Sequence, residues 1–98
     1  MLNIVFLDRT GIPATHEIPR PSFPHTWTEY DRTSAEETFE RAKDADIVIT
    51  SKVLFGRELL AKLPKLKLIA ITATGTNNID LVAAKELGIA VKNVTGYS

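Results

Sequence analysis

Apolar positions fall into four short runs, broken only by Lys67 in the third, and the segments between them either carry a helical period or carry none. Ile4-Val5-Phe6-Leu7 is built of β-formers and stops at Asp8; Ile47-Val48-Ile49, Leu66 to Ile71 and Ile89-Ala90-Val91 repeat the pattern. Continuous apolar runs of this length suit strands buried on both faces, as in a parallel sheet covered by helices. Ser34-Ala35-Glu36-Glu37 has the form of a capping box, and predicts a helix from Ala35 to about Lys43 with Phe39 and Ala42 facing inward. Phe55 to Leu63 predicts a second, short helix closed by Pro64. Ile79, Val82, Ala83 and Leu87 give helical spacing to a third, from Ile79 to Leu87, with Gly88 at the position where a helix commonly reverses. Residues 11 to 28 hold Pro13, Pro19, Pro21 and Pro24 and show no period, which predicts a long irregular connection packed down by Trp27 and Tyr30.

Strands alternating with helices imply right-handed crossovers, and so a doubly wound, mainly parallel α/β sheet with helices on both faces. The sequence stops at Ser98, where a further helix is expected, and on this pattern it reads as a truncated domain.

Composition narrows the partners. Twelve basic and twelve acidic residues among 98 leave a formal net charge of zero, with no Lys/Arg stripe, which argues against nucleic acid or an anionic membrane surface. There is no cysteine, which removes disulfides and thiolate chemistry. His16 and His25 lack a companion at ligand spacing, so no metal site is expected. No apolar run approaches the ~20 residues of a membrane span, and the N-terminus lacks the form of a secretory signal. A soluble, cytoplasmic chain is the expectation.

In an open α/β sheet, ligands bind beyond the carboxyl ends of the strands. Those ends are predicted at Asp8-Arg9-Thr10, Thr50-Ser51-Lys52, Thr72-Ala73-Thr74-Gly75-Thr76 and Lys92-Asn93. The third is the most distinctive. Gly75 permits a sharp turn and a close backbone approach, while Thr76, Asn77 and Asn78 are good N-cap types. Amides at the start of the following helix would favour an anion, with Asp80 in the first turn already answering part of that field. Two readings stand side by side here: an anion cradle, and a plain strand-to-helix turn. Asp8 and Lys52 are read as a turn cap and a solvated lysine, although Lys52 could also meet an anionic substrate. G-x-G-x-x-G, G-x-x-x-x-G-K-[ST] and G-x-S-x-G are all missing from the 98 residues.

Five stretches together carry a family resemblance: residues 23 to 34, 45 to 53, 63 to 69, Ala73-Thr-Gly-Thr-Asn-Asn-Ile-Asp80, and Lys85 to Ser98. With these the chain resembles the N-terminal part of the D-isomer-specific 2-hydroxyacid dehydrogenases, most of all their glycerate dehydrogenase (hydroxypyruvate reductase) branch. The resemblance implies that residues 1–98 are the N-terminal portion of a flavodoxin-like substrate domain. It implies that a Rossmann domain, which binds NAD or NADP and carries the catalytic Arg, Glu and His, lies outside this chain, as does a returning C-terminal helix. It implies no catalytic and no cofactor-binding residue within the 98, and a small 2-hydroxy or 2-oxo acid as substrate. The complete enzyme is expected to be a homodimer, and the fragment alone to be inactive and prone to self-association through an uncovered sheet face. Substrate contacts are expected from the backbone amides of Thr74 and Gly75, then from Ser51 and Lys52, and from Tyr97.

Two other classes remain. Thr72-Ala-Thr-Gly-Thr-Asn77 is one residue from the flavodoxin phosphate-loop pattern, which would make the chain an FMN module, but a flavodoxin places that loop after its first strand. A non-enzymatic, regulatory relative of the dehydrogenases would share this domain.

Overall fold

The computed structural model describes residues 2–8, 24–51, 53–72 and 78–93. Five strands form one sheet: β1 (Leu2–Phe6), β2 (His25–Glu29), β3 (Ile47–Thr50), β4 (Leu68–Ile71) and β5 (Ala90–Asn93). Three helices connect them: α1 (Ala35–Ala42), α2 (Arg57–Ala61) and α3 (Leu81–Glu86). Spatial order is β2-β1-β3-β4-β5 with every pairing parallel, a doubly wound sheet in the flavodoxin-like order that the family resemblance implies.

Alternation along the strands sorts the core into two clusters. Val5, Leu7, Val48, Ile69 and Ile71 join Ala42 of α1, Leu60 of α2 and Ala83 and Ala84 of α3. The intervening positions, Ile4, Phe6, Ile49 and Ala70, form the second cluster, with Trp27 and Ile47 against it. Both faces of β1, β3 and β4 are therefore buried, which is why these strands read as unbroken apolar runs. The bare sheet face expected from the sequence is not found at these positions, since Ile4, Phe6, Ile49 and Ala70 are each at most 8% exposed. The exposed apolar side chains are instead Leu54, Leu81, Val82, Leu87 and Phe39.

Strand β2 was not expected. His25-Thr-Trp-Thr-Glu29 has no apolar run, because as an edge strand it needs only one pairing and little burial. Its β-branched and aromatic residues were the available signal. Trp27 and Tyr30 pack against the core, while the connection they were expected to pack down lies mostly outside the described residues. Residues 9–23, with His16, Pro13, Pro19 and Pro21, lie outside the described part.

The helices are shorter than predicted. Gly56 has extended backbone and occupies the N-cap of α2, while Phe55 bridges to Ile79, so neither Phe55 nor Ile79 belongs to a helix. In α3 the N-cap is Asp80, whose Oδ1 accepts from the Ala83 amide at 3.0 Å. Counting the period from Ile79 therefore started in the wrong place. Val82 and Leu87 are exposed, and Ala83 and Ala84 face the core. In α1 the inward residues are Thr38 and Ala42, with Phe39 at the surface. Thr38 tolerates burial because its hydroxyl donates to the Ser34 carbonyl at 2.8 Å. No helix among the described residues is long and apolar enough to cross a membrane.

Candidate functional site

All five strands run the same way, so their carboxyl ends share one edge of the sheet, and the loops leaving that edge are where a ligand would be met. The strand order reverses direction between β1 and β3, which makes the crevice there the favoured position in a fold of this order. The described side chains at that point are Asp8, Thr50 and Ser51.

Asp8 Oδ1 accepts hydrogen bonds from the Thr50 hydroxyl at 3.1 Å and from the Ser51 amide at 2.8 Å. The Thr50 hydroxyl in turn accepts from the Val53 amide at 3.2 Å. Asp8 thus caps a turn, as expected, but the turn belongs to the neighbouring strand. Thr50 is fully buried and Ser51 nearly so. Of the expected substrate contacts, Ser51 is the one the described residues include: it stands at the crevice, with its amide committed to Asp8. Lys52, Thr74, Gly75 and Tyr97 lie outside the described residues, as do Thr76 and Asn77.

Thr72 and Asn78 are both tied to the end of β3 and the residues that follow it. On one side the Thr72 amide donates to the Thr50 carbonyl at 3.0 Å. On the other, the Asn78 side-chain amide donates to the Val53 carbonyl at 2.9 Å. Phe55 N–H donates to the Asn78 carbonyl at 2.8 Å and Asp80 N–H to the Phe55 carbonyl at 2.9 Å, which makes a short parallel bridge between the two post-strand segments. An open hollow of 310 Å³ lies over this bridge, lined by Leu54, Phe55, Gly56, Asn78, Ile79 and Asp80.

Asp80 answers the helix field as its place in the sequence suggests. Its carboxylate already answers an amide at the start of α3, so the field of that short helix is largely spent within the chain. The Arg57 guanidinium, which donates to Glu86 at 2.7 Å, is held above its ordinary pKa first by that bond and then by the Glu86 charge, with Asp80 adding a smaller effect. It is a surface link between α2 and α3. No group of three or more His, Asp or Glu side chains among the described residues is placed to hold a metal ion. Sequence reasoning missed the Asp8–Thr50–Ser51 arrangement and the Asn78–Val53 tie. Asp at the end of one apolar run and Thr-Ser at the end of the next was the only signal.

Three similarities bear on what this edge serves. A Haemophilus influenzae protein provisionally named a 2-hydroxyacid dehydrogenase is 76% identical over 99% of this chain, which spans 31% of that protein. Glycerate dehydrogenase of Methylorubrum extorquens is 44% identical over 97% of the chain, which covers 30% of it. The apo structure of D-lactate dehydrogenase from Escherichia coli superposes with a TM-score of 0.70 at 26% identity, over 100% of this chain and 32% of that one. The chain thus spans about a third of the length of each. The profile of the D-isomer specific 2-hydroxyacid dehydrogenase catalytic domain matches residues 5–98, and the chain belongs to that family.

Proposed function

We propose that this chain is the substrate-domain part of an oxidoreductase that transfers a hydride between NAD(P)H and a small 2-oxo acid, hydroxypyruvate being reduced to D-glycerate. The observation that carries the reading is the 44% identity to a glycerate dehydrogenase across nearly the whole chain. The geometry supports it in kind: a set of strand-end turns tied to one another at the crevice is suited to holding a small ligand in one orientation, which is a positioning contribution to rate. In this reading the Thr74–Gly75 amides, Ser51, Lys52 and Tyr97 meet the substrate.

The described residues at the crevice do not fit the nicotinamide cofactor. The Asp8 Oδ1, the Thr50 hydroxyl and the Ser51 amide are engaged with one another between β1 and β3, which leaves these groups unavailable to a pyrophosphate. The cofactor and the proton-transfer residues are accordingly proposed to belong to a separate domain of a complete, homodimeric and cytoplasmic enzyme. When bound, the cofactor supplies the hydride.

The test is steady-state oxidation of NADH and NADPH by the complete enzyme with hydroxypyruvate, glyoxylate, pyruvate and 3-phosphohydroxypyruvate. The expected result is a kcat/KM for hydroxypyruvate at least about tenfold above the others, the discrimination that one or two substrate contacts provide. A higher value for another acid would remove the glycerate assignment. No turnover with any of them would favour a regulatory protein. The 98 residues alone are expected to show no activity.

A further inference from the structure

A carboxylate standing in a crevice that receives an anion is unfavourable unless its oxygens are directed elsewhere. Asp8 stands in this position. Its Oδ1 takes the Thr50 hydroxyl and the Ser51 amide, at 3.1 and 2.8 Å. The Thr50 hydroxyl takes the Val53 amide at 3.2 Å, so the turn after β3 is strung on this one oxygen through two amides and a hydroxyl. The same turn holds two other parts of the edge. Thr50 offers its carbonyl to the Thr72 amide at 3.0 Å, and Val53 offers its carbonyl to the Asn78 side chain at 2.9 Å. Thr50 is 0% exposed, Ser51 6% and Val53 9%. Water is therefore poorly placed to replace the carboxylate, and removing it would leave buried donors seeking new partners.

We propose that Asp8 is a positioning residue of the substrate crevice. By holding Thr50 and Ser51 directly and Val53 through the Thr50 hydroxyl, it sets where Ser51 and the end of β4 stand, and its loss lowers affinity for the 2-oxo acid rather than the rate of hydride transfer. This rests on the function proposed above, and is tested so that the two can fail separately.

The test compares Asp8→Ala with Asp8→Asn in the complete enzyme, using hydroxypyruvate. Asparagine keeps a side-chain oxygen where Oδ1 stands; alanine removes it. Asp8→Ala is expected to raise KM for hydroxypyruvate by about tenfold, the scale of one weakened hydrogen bond to the substrate, with kcat and KM for NADH changed less than about twofold. Asp8→Asn is expected to recover most of that loss. Should Asp8→Ala not fold, Thr50→Val is expected to raise KM in the same direction by a smaller factor, because it keeps the shape and breaks the link from Asp8 to the Val53 amide while leaving the Ser51 amide bonded. An unchanged KM, a parallel fall in kcat with a rise in both KM values, or no recovery in Asp8→Asn would overturn the proposal. If the wild-type enzyme does not reduce hydroxypyruvate, the function reading fails and this one is read from amide exchange in the 98-residue chain. Faster exchange at Ser51 and Val53 in Asp8→Ala, restored in Asp8→Asn, supports it; equal rates overturn it.

Discussion

At Gly88 the chain leaves α3 for β5 with φ at +76°, a backbone region in which a Cβ meets the following carbonyl. Nothing lies within 4 Å of where that Cβ would sit, so the strain of a substitution there comes from the backbone alone. Gly88→Ala is expected to destabilise by about 1 kcal/mol in chemical denaturation, and Gly88→Asn by less, because asparagine tolerates this region. An equal loss for both would mean that something other than φ sets the cost. This glycine was legible in the sequence because it follows a run of good helix formers. Asp80 was not: three neighbouring residues, Thr76, Asn77 and Asn78, were equally good capping types, and only the Phe55–Ile79 bridge decides where the helix begins.

Helix α1 is the element whose sequence signal held best, since both halves of its capping box are formed. Ser34 Oγ accepts from the Glu37 amide at 3.3 Å, and Glu37 Oε1 accepts from the Ser34 amide at 3.1 Å. The bond from the Ser34 backbone, then that from its side chain, and then the Arg41 charge hold the Glu37 carboxyl below its ordinary pKa of 4.5. Because the folded value lies below the unfolded one, folding favours the charged form. The stabilisation is therefore complete above the unfolded pKa and is lost as pH falls through the folded value. The unfolding midpoint of Glu37→Gln is expected to lie below that of wild type at neutral pH and to converge with it in acid below that window; a gap independent of pH would remove the carboxylate from the explanation. Arg41 also fixes the approach to this helix, donating to the Arg32 carbonyl at 2.7 Å and to the Thr33 hydroxyl at 2.8 Å, with its guanidinium 4.0 Å from the centre of the Tyr30 ring. The remaining elements were legible where burial is two-sided, as in β1, β3 and β4. They were not legible where it is slight, as in β2, or where a five- or six-residue helix gives too few turns for its phase to be read, as in α2 and α3.

For the whole molecule, the alternation of runs and periods carried the doubly wound, parallel class but not β2, while the site was carried largely by resemblance, because hydrogen bonds between strand ends 42 and 43 residues apart leave no local pattern. Leu54 at 72% and Val82 at 64% exposure are the most open of the large apolar side chains. We predict that the isolated chain associates through them, and that Leu54→Glu with Val82→Glu returns light scattering to the monomer mass. A monomeric wild type would count against this. The two margins of the sheet bear on how far such association can go. β2 ends the sheet with Thr26, Thr28 and Glu29, and β5 with Lys92 and Asn93, so each lateral ladder is flanked by polar or charged groups that resist docking of another chain's backbone. Clustering of the isolated chain is therefore expected to stop at small, reversible oligomers rather than run on into fibres, even where its sides are sticky, which sedimentation of the chain at rising concentration would check.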